Sequence, residues 1–260
     1  MRTTAPEAVR RLRTSIRRLN SIIDLAVLII PGSALFKRRQ DLKSRLRALS
    51  PVRDIDITLK FINAYAPPNP SLAMCGAELS VERRRLAAAA RRELGDSRNQ
   101  ALLKAIAYAG NFVAGQDQAG LAAKFLEFLN RALARIIKAM SRVRQSDLGS
   151  VHRLRIAFKR LRYAAEILHP ALRDFTKAHL EAMRRFHSLM GQIQDLSVIE
   201  SGIRRFAARR NPVVSAELAP VIEAIRRERA HLLYRLPQMA DNSLSYWIGR
   251  SNSDNAGETA

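Results

Sequence analysis

The sequence predicts an all-α protein, and three features carry this prediction. Ala, Leu and Arg, which are all good helix formers, dominate the 260-residue chain. Apolar residues recur at helical spacing in runs of about 12–25 residues. No segment shows the sustained alternation of apolar and polar residues that is typical of a β-strand. Apolar residues make up 47% of the chain, which is enough to bury a sizeable core.

Proline and glycine clusters predict where successive helices begin and end. The first helix is predicted to end at residues 31–33, where Pro-Gly-Ser follows an apolar run. The Ser-Pro pair at residues 50–51 predicts the second break. Further breaks are expected at residues 67–70, 95–97, 115–120, 149–150, 170, 211–212 and 237. Residues 251–260 are small and polar, and they are expected to form a loose C-terminal tail.

The charge of the chain points to an anionic partner. The net charge is +22, and arginine supplies most of it, with 37 Arg against 8 Lys. Arginine makes planar, two-point hydrogen bonds to phosphate groups. The composition therefore predicts a polyanionic partner, although it does not say which one.

Several classes of protein and of site are excluded or disfavoured. Cys75 is the only cysteine, which excludes an intrachain disulfide and a cysteine-based zinc site. The longest apolar stretch, residues 22–30, is too short for a bilayer, which needs about 20 residues, so the expected location is the cytoplasm. The five histidines lack metal-ligand spacing, and neither H-E-x-x-H nor G-x-S-x-G occurs. We therefore expect no metal, no cofactor and no enzymatic activity.

Two short motifs recur in the same order and predict a duplicated unit of about 140 residues. VRRLRTSIRRL at residues 9–19 matches VHRLRIAFKRL at residues 151–161, with six of eleven positions identical at an offset of 142. LSPVRDI at residues 49–55 parallels MGQIQDL at residues 190–196 at an offset of 141. Chance similarity, even in a chain rich in Arg and Leu, poorly explains two pairs of matching motifs that keep the same order and nearly the same spacing.

The repeated helix is predicted to have a core face and a basic face. Helical spacing places apolar residues on one stripe, namely Val9, Leu12, Ile16, Leu19 and Ile23 in the first copy and Val151, Leu154, Phe158, Leu161 and Ala165 in the second. A basic strip lies beside each stripe, namely Arg10, Arg13 and Arg17 with Asn20 at its end in the first copy, and His152, Arg155, Lys159, Arg162 and Tyr163 in the second. Neither basic strip contains an acidic residue over its first three turns, although like charges at that spacing are mildly destabilising. This arrangement indicates that the strips meet anions.

The motifs VHRLRIAFKRLRYAAEIL, LMGQIQDLSVI and LSPVRDIDITL resemble those of the CHAD family, the conserved histidine α-helical domain. The resemblance extends from residue 9 to about residue 236. It implies one CHAD-like domain over residues 1–240, made of two pseudo-symmetric, four-helix-bundle-like halves at about residues 9–145 and 150–236. It also implies a basic groove between the halves that binds inorganic polyphosphate without catalysis. Arg10 stands where the family usually has its first histidine, so any special role of that histidine is in doubt.

The resemblance assigns polyphosphate-binding residues by position in the repeated helices. The first helix of each half gives Arg10, Arg13, Arg17, His152, Arg155, Lys159 and Arg162. The second helix of each half adds Arg39, Lys43, Arg47, Arg184 and His187. In that helix Leu42, Leu46 and Leu49 are predicted to face the core. Asp54, Asp56 and Asp195 are expected to cap a helix or to anchor an arginine.

Two other partners remain open at this stage. Arginine-rich helix faces also suit the phosphodiester backbone, so the alternative function is nucleic-acid binding. Against it, aromatic residues are only 6% of the chain, and a single-strand site needs aromatic stacking platforms. A helical adaptor that docks an acidic protein or a membrane surface is the third hypothesis. Sulfate or phosphate is expected to be able to take the place of polyphosphate, and polyphosphate granules are a candidate location within the cytoplasm.

Overall fold

The computed structural model describes residues 5–30, 35–65, 68–94, 99–144 and 147–257, and it confirms the all-α class. These residues contain nine α-helices and no β-strand. The helices are α1 (Pro6–Ile29), α2 (Leu35–Ala64), α3 (Pro70–Leu94), α4 (Asn99–Ala114), α5 (Gln118–Met140), α6 (Leu148–Leu168), α7 (Lys177–Ala207), α8 (Pro212–Tyr234) and α9 (Leu236–Gly257). A short 3-10 turn, His169–Ala171, follows α6.

The break predicted at residues 50–51 is wrong, because α2 continues through Pro51 to Ala64. Proline has no N–H and disrupts the preceding turn, at a cost of about 3 kcal/mol in a helix interior. In the turn before Pro51, the Ser50 hydroxyl donates to the Leu46 carbonyl at 2.7 Å, and Arg13 of α1 donates to the same oxygen at 3.1 Å, which ties α2 to α1. Helix α2 also packs against both α1 and α3, so tertiary contacts outweigh the local preference.

The other predicted breaks that fall on described residues lie at or close to helix ends. Those at residues 115–120, 149–150, 170, 211–212 and 237 are each within a few residues of a helix boundary. The breaks at residues 31–33 and 95–97 lie outside the described residues. At the C-terminus, α9 extends to Gly257 and so includes much of the stretch that was expected to be a loose tail, whereas residues 258–260 lie outside the described part.

The chain divides into two compact units. The first unit is Met1–Gly115 with Asp195–Arg229, and the second unit is Gln116–Gln194 with Ala230–Ala260. Helices α7 and α8 each contribute residues to both units. The two sequence repeats, at about residues 9–145 and 150–236, stay a prediction about internal symmetry.

The core of the first unit joins α3 to the C-terminal part of α7 and to α8. Leu72 and Cys75 of α3 pack with a larger apolar set, comprising Ile199, Ile203, Phe206, Ala207, Leu218, Val221 and Ile225. Burial raises the pKa of the Cys75 thiol to about 11, so this side chain stays protonated and behaves as a small apolar residue. Residues that are distant in sequence therefore complete this core together.

The core of the second unit lies between α6 and α7. Phe158 of α6 meets Phe186 of α7 edge to face, with ring centroids 4.8 Å apart. All five predicted core residues of α6, from Val151 to Ala165, are buried. In α1 the prediction fails at Leu12, which is 39% exposed, although Val9, Ile16 and Ile23 are buried as predicted.

Candidate functional site

The first unit contains an open pocket of about 1000 Å³, bounded mainly by α1 and α2. We call it the basic pocket, because six cationic and three anionic side chains line it. The cationic residues are Arg10, Arg13, Arg17, Arg53, Lys60 and Arg83, and the anionic residues are Glu7, Asp56 and Asp195. The lining therefore has an excess of three positive charges, which makes the pocket suited to an anion.

The structure brings together the three predicted site residues of α1, in three different settings. Arg13 is only 7% exposed, and its Nη1 donates to the Leu46 carbonyl at 3.1 Å and to the Ser50 hydroxyl at 3.0 Å. Arg17 is half-buried. Arg10 is on the surface, with a weak ion pair to Glu7 at 3.5 Å. Arg13 was predicted to lie on the basic strip, and its hydrogen bonds to α2 place it at the buried base of that strip.

The pocket also contains three cations that the sequence reasoning did not assign, Arg53, Lys60 and Arg83. The sequence contained a signal for two of them, because Arg53 and Lys60 are seven residues apart and so lie on one face of a helix. Arg83 lies on α3, and no repeat or motif pointed to it. Its contribution depends on how α3 packs beside α2, which periodicity within one helix does not reveal.

The carboxylates of the pocket act as arginine anchors, as predicted for Asp56 and Asp195. Arg53 Nη2 donates to Asp195 Oδ1 at 2.6 Å, and Arg83 Nε donates to Asp56 Oδ1. Arg53 also approaches Asp54, at 3.4 Å from its Nη1 to Asp54 Oδ1. Burial is the largest influence on Asp54 and raises the pKa of this carboxyl above its usual value, although Arg53 and Arg13 act in the opposite direction.

The predicted residues on α2 are less closely associated with the pocket. Arg39 pairs with Asp24 of α1 at 2.5 Å, with about a fifth of each side chain exposed. Lys43 is half-buried and Arg47 is exposed. In the described part of the first unit, none of these three side chains lines the basic pocket. As predicted, Leu42 and Leu49 are buried, and Leu46 is half-buried.

The second unit repeats a contact of the first at equivalent sequence positions. Arg13 contacts Ser50 in the first unit. Their counterparts at offsets of 142 and 141 are Arg155 and Gly191, and a Cβ added at Gly191 would lie 4.0 Å from Arg155 Nη2. The basic helix and its partner helix therefore meet in the same register in both units. Lys159, the next residue of this face, is half-buried.

His152, which the family resemblance singles out, is exposed at the start of α6. Its Nδ1 lies 3.0 Å from Oε1 of Gln194. His187, predicted from the second helix, is half-buried on α7.

Glu166 organises two further predicted residues of the second unit. Arg162 is 8% exposed and donates to Glu166 Oε2 at 3.2 Å, while Arg184 donates to Oε1 of the same carboxylate at 3.2 Å. The Arg162 guanidinium also lies 4.0 Å from the ring centroid of Tyr163. Tyr163 itself is buried, which corrects its predicted place on the basic strip.

The helical fold and the basic pocket define the class of this molecule, an all-α protein that gathers arginines along paired helices. A family model described as CHAD domain matches residues 1–204, and the chain belongs to this family. Among solved structures it is similar to the crystal structure of the CHAD domain from the plant Ricinus communis, with a TM-score of 0.66 and 22% identity. That match covers 93% of this chain and 81% of the plant chain, and it supports the fold. Comparison with curated proteins gives no match. No helix in the described ranges has the length and apolar character to cross a membrane.

Proposed function

We propose that this chain binds inorganic polyphosphate and does not transform it chemically. One observation carries the proposal, the excess of three positive charges around the basic pocket. Membership of the CHAD family supports the same conclusion. The proposed ligand is a linear anion with one negative charge on each internal phosphoryl group, which matches a row of arginines better than a single compact anion does.

The mechanism is a set of charge-assisted hydrogen bonds from partly fixed donors. Arg13 is held by α2, so little of its freedom is lost when a phosphoryl oxygen binds. Arg10 and Lys60 are exposed, and each adds a contact that is weak in salt. A polymer that engages several such contacts at once gains from their number, because each later contact forms within one complex.

We assign the same role to the equivalent residues of the second unit, His152, Arg155 and Lys159. Their support is the repeated register of the basic helix against its partner helix. Arg162 and Arg184 share Glu166, so we assign them a smaller part in binding. The basic groove between two halves, which the family resemblance implies, remains a prediction, as does a cytoplasmic location near polyphosphate granules.

The chain-length dependence of binding tests this mechanism directly. Calorimetric titration is expected to give a much higher affinity, per molecule, for long polyphosphate than for pyrophosphate, because the short ion reaches only one or two cations. Affinity for the long chain should fall steeply as salt rises. Equal affinity for pyrophosphate and the long polymer would contradict multivalent binding.

Charge-reversal variants distinguish polyphosphate binding at a local site from diffuse electrostatic attraction to the whole protein surface. Arg17→Glu and Lys159→Glu should each weaken polyphosphate binding at least tenfold, which corresponds to about 1.4 kcal/mol, because a carboxylate both removes a donor and repels the ligand. Arg92→Glu and Arg227→Glu make the same charge change on exposed helix surfaces and serve as matched controls. If all four variants lose the same affinity, the binding is not localised at the proposed residues.

Two further measurements complete the test. Competition between polyphosphate and DNA at matched phosphate concentration should favour polyphosphate, and the opposite order would support the nucleic-acid alternative. Incubation of the protein with polyphosphate and Mg²⁺ should leave the chain-length distribution on a gel unchanged. Shortened chains, dependent on protein concentration, would overturn the non-enzymatic part of the proposal.

A further inference from the structure

A second pocket lies beside the basic pocket in the first unit, between the end of α2 and the first half of α3. Its volume is about 470 Å³, which is within the range of about 300–1,000 Å³ that is typical of small-molecule sites. We call it the neutral pocket, because none of the described residues that line it is charged. This lining stands out in a chain of which 26% is charged.

The neutral pocket and the basic pocket share a wall. Leu59 and Asn63 of α2 line both pockets, and they are four residues apart, so they are neighbours on the helix surface. Lys60, a cation of the basic pocket, lies three residues before Asn63 and is its neighbour as well. A ligand with a charged part beside Lys60 and an uncharged part beyond Asn63 would therefore occupy both pockets at once.

Two polar side chains of the neutral pocket suit an uncharged ring that has hydrogen-bonding edges. The Asn63 side chain is exposed, and no described residue hydrogen-bonds to its amide. The Tyr65 ring is half-buried, and its centroid lies 5.8 Å from that of Phe61. An amide presents both donors and an acceptor, which match the edge of a nucleobase, and nucleobases also stack on aromatic rings. A nucleobase therefore suits this pocket better than a phosphate group does, since no described cation lines it.

We propose that the two pockets together bind a nucleoside polyphosphate, with its phosphates in the basic pocket and its base in the neutral pocket beside Asn63 and Tyr65. This inference rests on the proposed function, because the same cations hold the phosphates of both ligands. The base supplies contacts that a short inorganic chain lacks, so a nucleotide binds although it has few phosphates. Nucleotide and inorganic polyphosphate then compete for the protein.

The test compares two ligands that each have three phosphoryl groups, ATP and inorganic tripolyphosphate. Titration calorimetry of wild type is expected to give an affinity for ATP that is about fivefold higher or more, which corresponds to about 1 kcal/mol, the low end for a base stacked on an aromatic ring. Tripolyphosphate carries at least as much negative charge as ATP, so charge alone predicts the opposite order. ATP should also displace long-chain polyphosphate.

Two variants test where the base binds. Ala73→Phe fills the neutral pocket from an exposed position of α3, and Tyr65→Leu removes the aromatic ring. Each should lower the affinity for ATP to that for tripolyphosphate, and each should leave the binding of tripolyphosphate and long-chain polyphosphate unchanged. Ala88→Phe is the matched control, because Ala88 is also exposed on α3 but lines neither pocket. This variant should keep the preference for ATP.

Retained binding of long-chain polyphosphate shows that a variant is folded, and Ala73→Phe keeps the test decisive if Tyr65→Leu is unstable. If wild type binds ATP no more tightly than tripolyphosphate but binds the long polymer, the inference is wrong and the proposed function stands. A preference for ATP that survives in Ala73→Phe, or that Ala88→Phe also abolishes, would likewise overturn the inference, since the base would then lie outside the neutral pocket. Failure of wild type to bind any of the three ligands would refute the proposed function, and the inference with it.

Discussion

At the scale of single residues, Arg13 combines two roles that its neighbour Arg10 does not share. Both side chains line the basic pocket, but Arg13 is 7% exposed and bonded to α2, whereas the Arg10 side chain is 79% exposed. A buried hydrogen-bond donor or acceptor that is left without a partner lowers the free energy of unfolding by about 1–3 kcal/mol. An exposed ion pair such as Arg10–Glu7 contributes little.

This difference predicts a separation of stability from binding. Arg13→Met should lower the free energy of unfolding by about 1–3 kcal/mol, measured by urea denaturation, and should also weaken polyphosphate binding. Arg10→Met should weaken binding with little change in stability. If Arg13→Met is as stable as wild type, the hydrogen bonds to Leu46 and Ser50 do not anchor α1 to α2.

The residue scale also shows where sequence reasoning succeeds and where it stops. Every predicted core residue of α6 is buried, because a regular helix with one apolar stripe has only one way to face its core. Leu12 of α1 is exposed and Arg13 is buried. The rotation of α1 about its own axis depends on the hydrogen bond from Arg13 to the Leu46 carbonyl of α2, which the pattern of α1 alone does not reveal. Arg83 enters the pocket from another helix, and no pattern in the sequence encodes that neighbour.

At the scale of elements, Glu200 joins α7 to α8. It is 8% exposed and accepts hydrogen bonds from Arg204 of its own helix and from Arg226 and Arg229 of α8. Burial by itself would raise the pKa of this carboxyl, but the bonds from Arg229 and Arg226 outweigh burial and lower it below the ordinary 4.5. The carboxylate therefore stabilises the fold in its charged form.

Removing this charge predicts a pH-dependent loss of stability. Glu200→Gln should destabilise the protein by about 3–5 kcal/mol near neutral pH, because it leaves the largely buried Arg229 without its counter-charge. The depressed pKa means that this stabilisation is present above the unfolded-state value and is lost as the pH falls through the folded-state value. Denaturation series from neutral to acid pH should show the difference between wild type and variant shrinking toward pH 4 and below, about where glutamate titrates. A difference that does not depend on pH would mean that packing, not charge, is responsible.

Helix α2 shows where a local sequence signal fails to predict a helix end. Ser-Pro is a sound local signal for a break, yet α2 continues through Pro51. The continuation of α2 is supported by its packing against α1 and α3, and Arg13 of α1 adds a hydrogen bond to the Leu46 carbonyl of α2. Local turn chemistry thus predicts most of the helix ends, and it fails where two neighbouring helices pack against the same one.

At the scale of the whole molecule, the net charge of +22 opposes folding through self-repulsion. An anion that binds only the native arrangement of arginines should therefore raise thermal stability. Long polyphosphate at a hundredfold excess over its dissociation constant should stabilise the fold by about 2.7 kcal/mol. Thermal melts at fixed ionic strength should show a higher midpoint with polymer, while sulfate or phosphate should need far higher concentrations. An unchanged midpoint at saturating polymer would place the nucleic-acid or adaptor hypothesis ahead.

The first unit is built from two stretches that are far apart in the sequence, and this affects how it folds during synthesis on the ribosome. Leu72 and Cys75 are made early, but Leu218 and Val221, which cover them, belong to the stretch that ends at Arg229. At typical synthesis rates of about 5–20 residues per second, the 146 residues from Cys75 to Val221 take roughly 7–29 s to add, and α3 waits that long for these partners. During that interval an apolar face stays open to solvent, to chaperones and to other nascent chains. Leu72 and Cys75 therefore reach their final packing late, and an arrest of translation before α8 would leave their core incomplete.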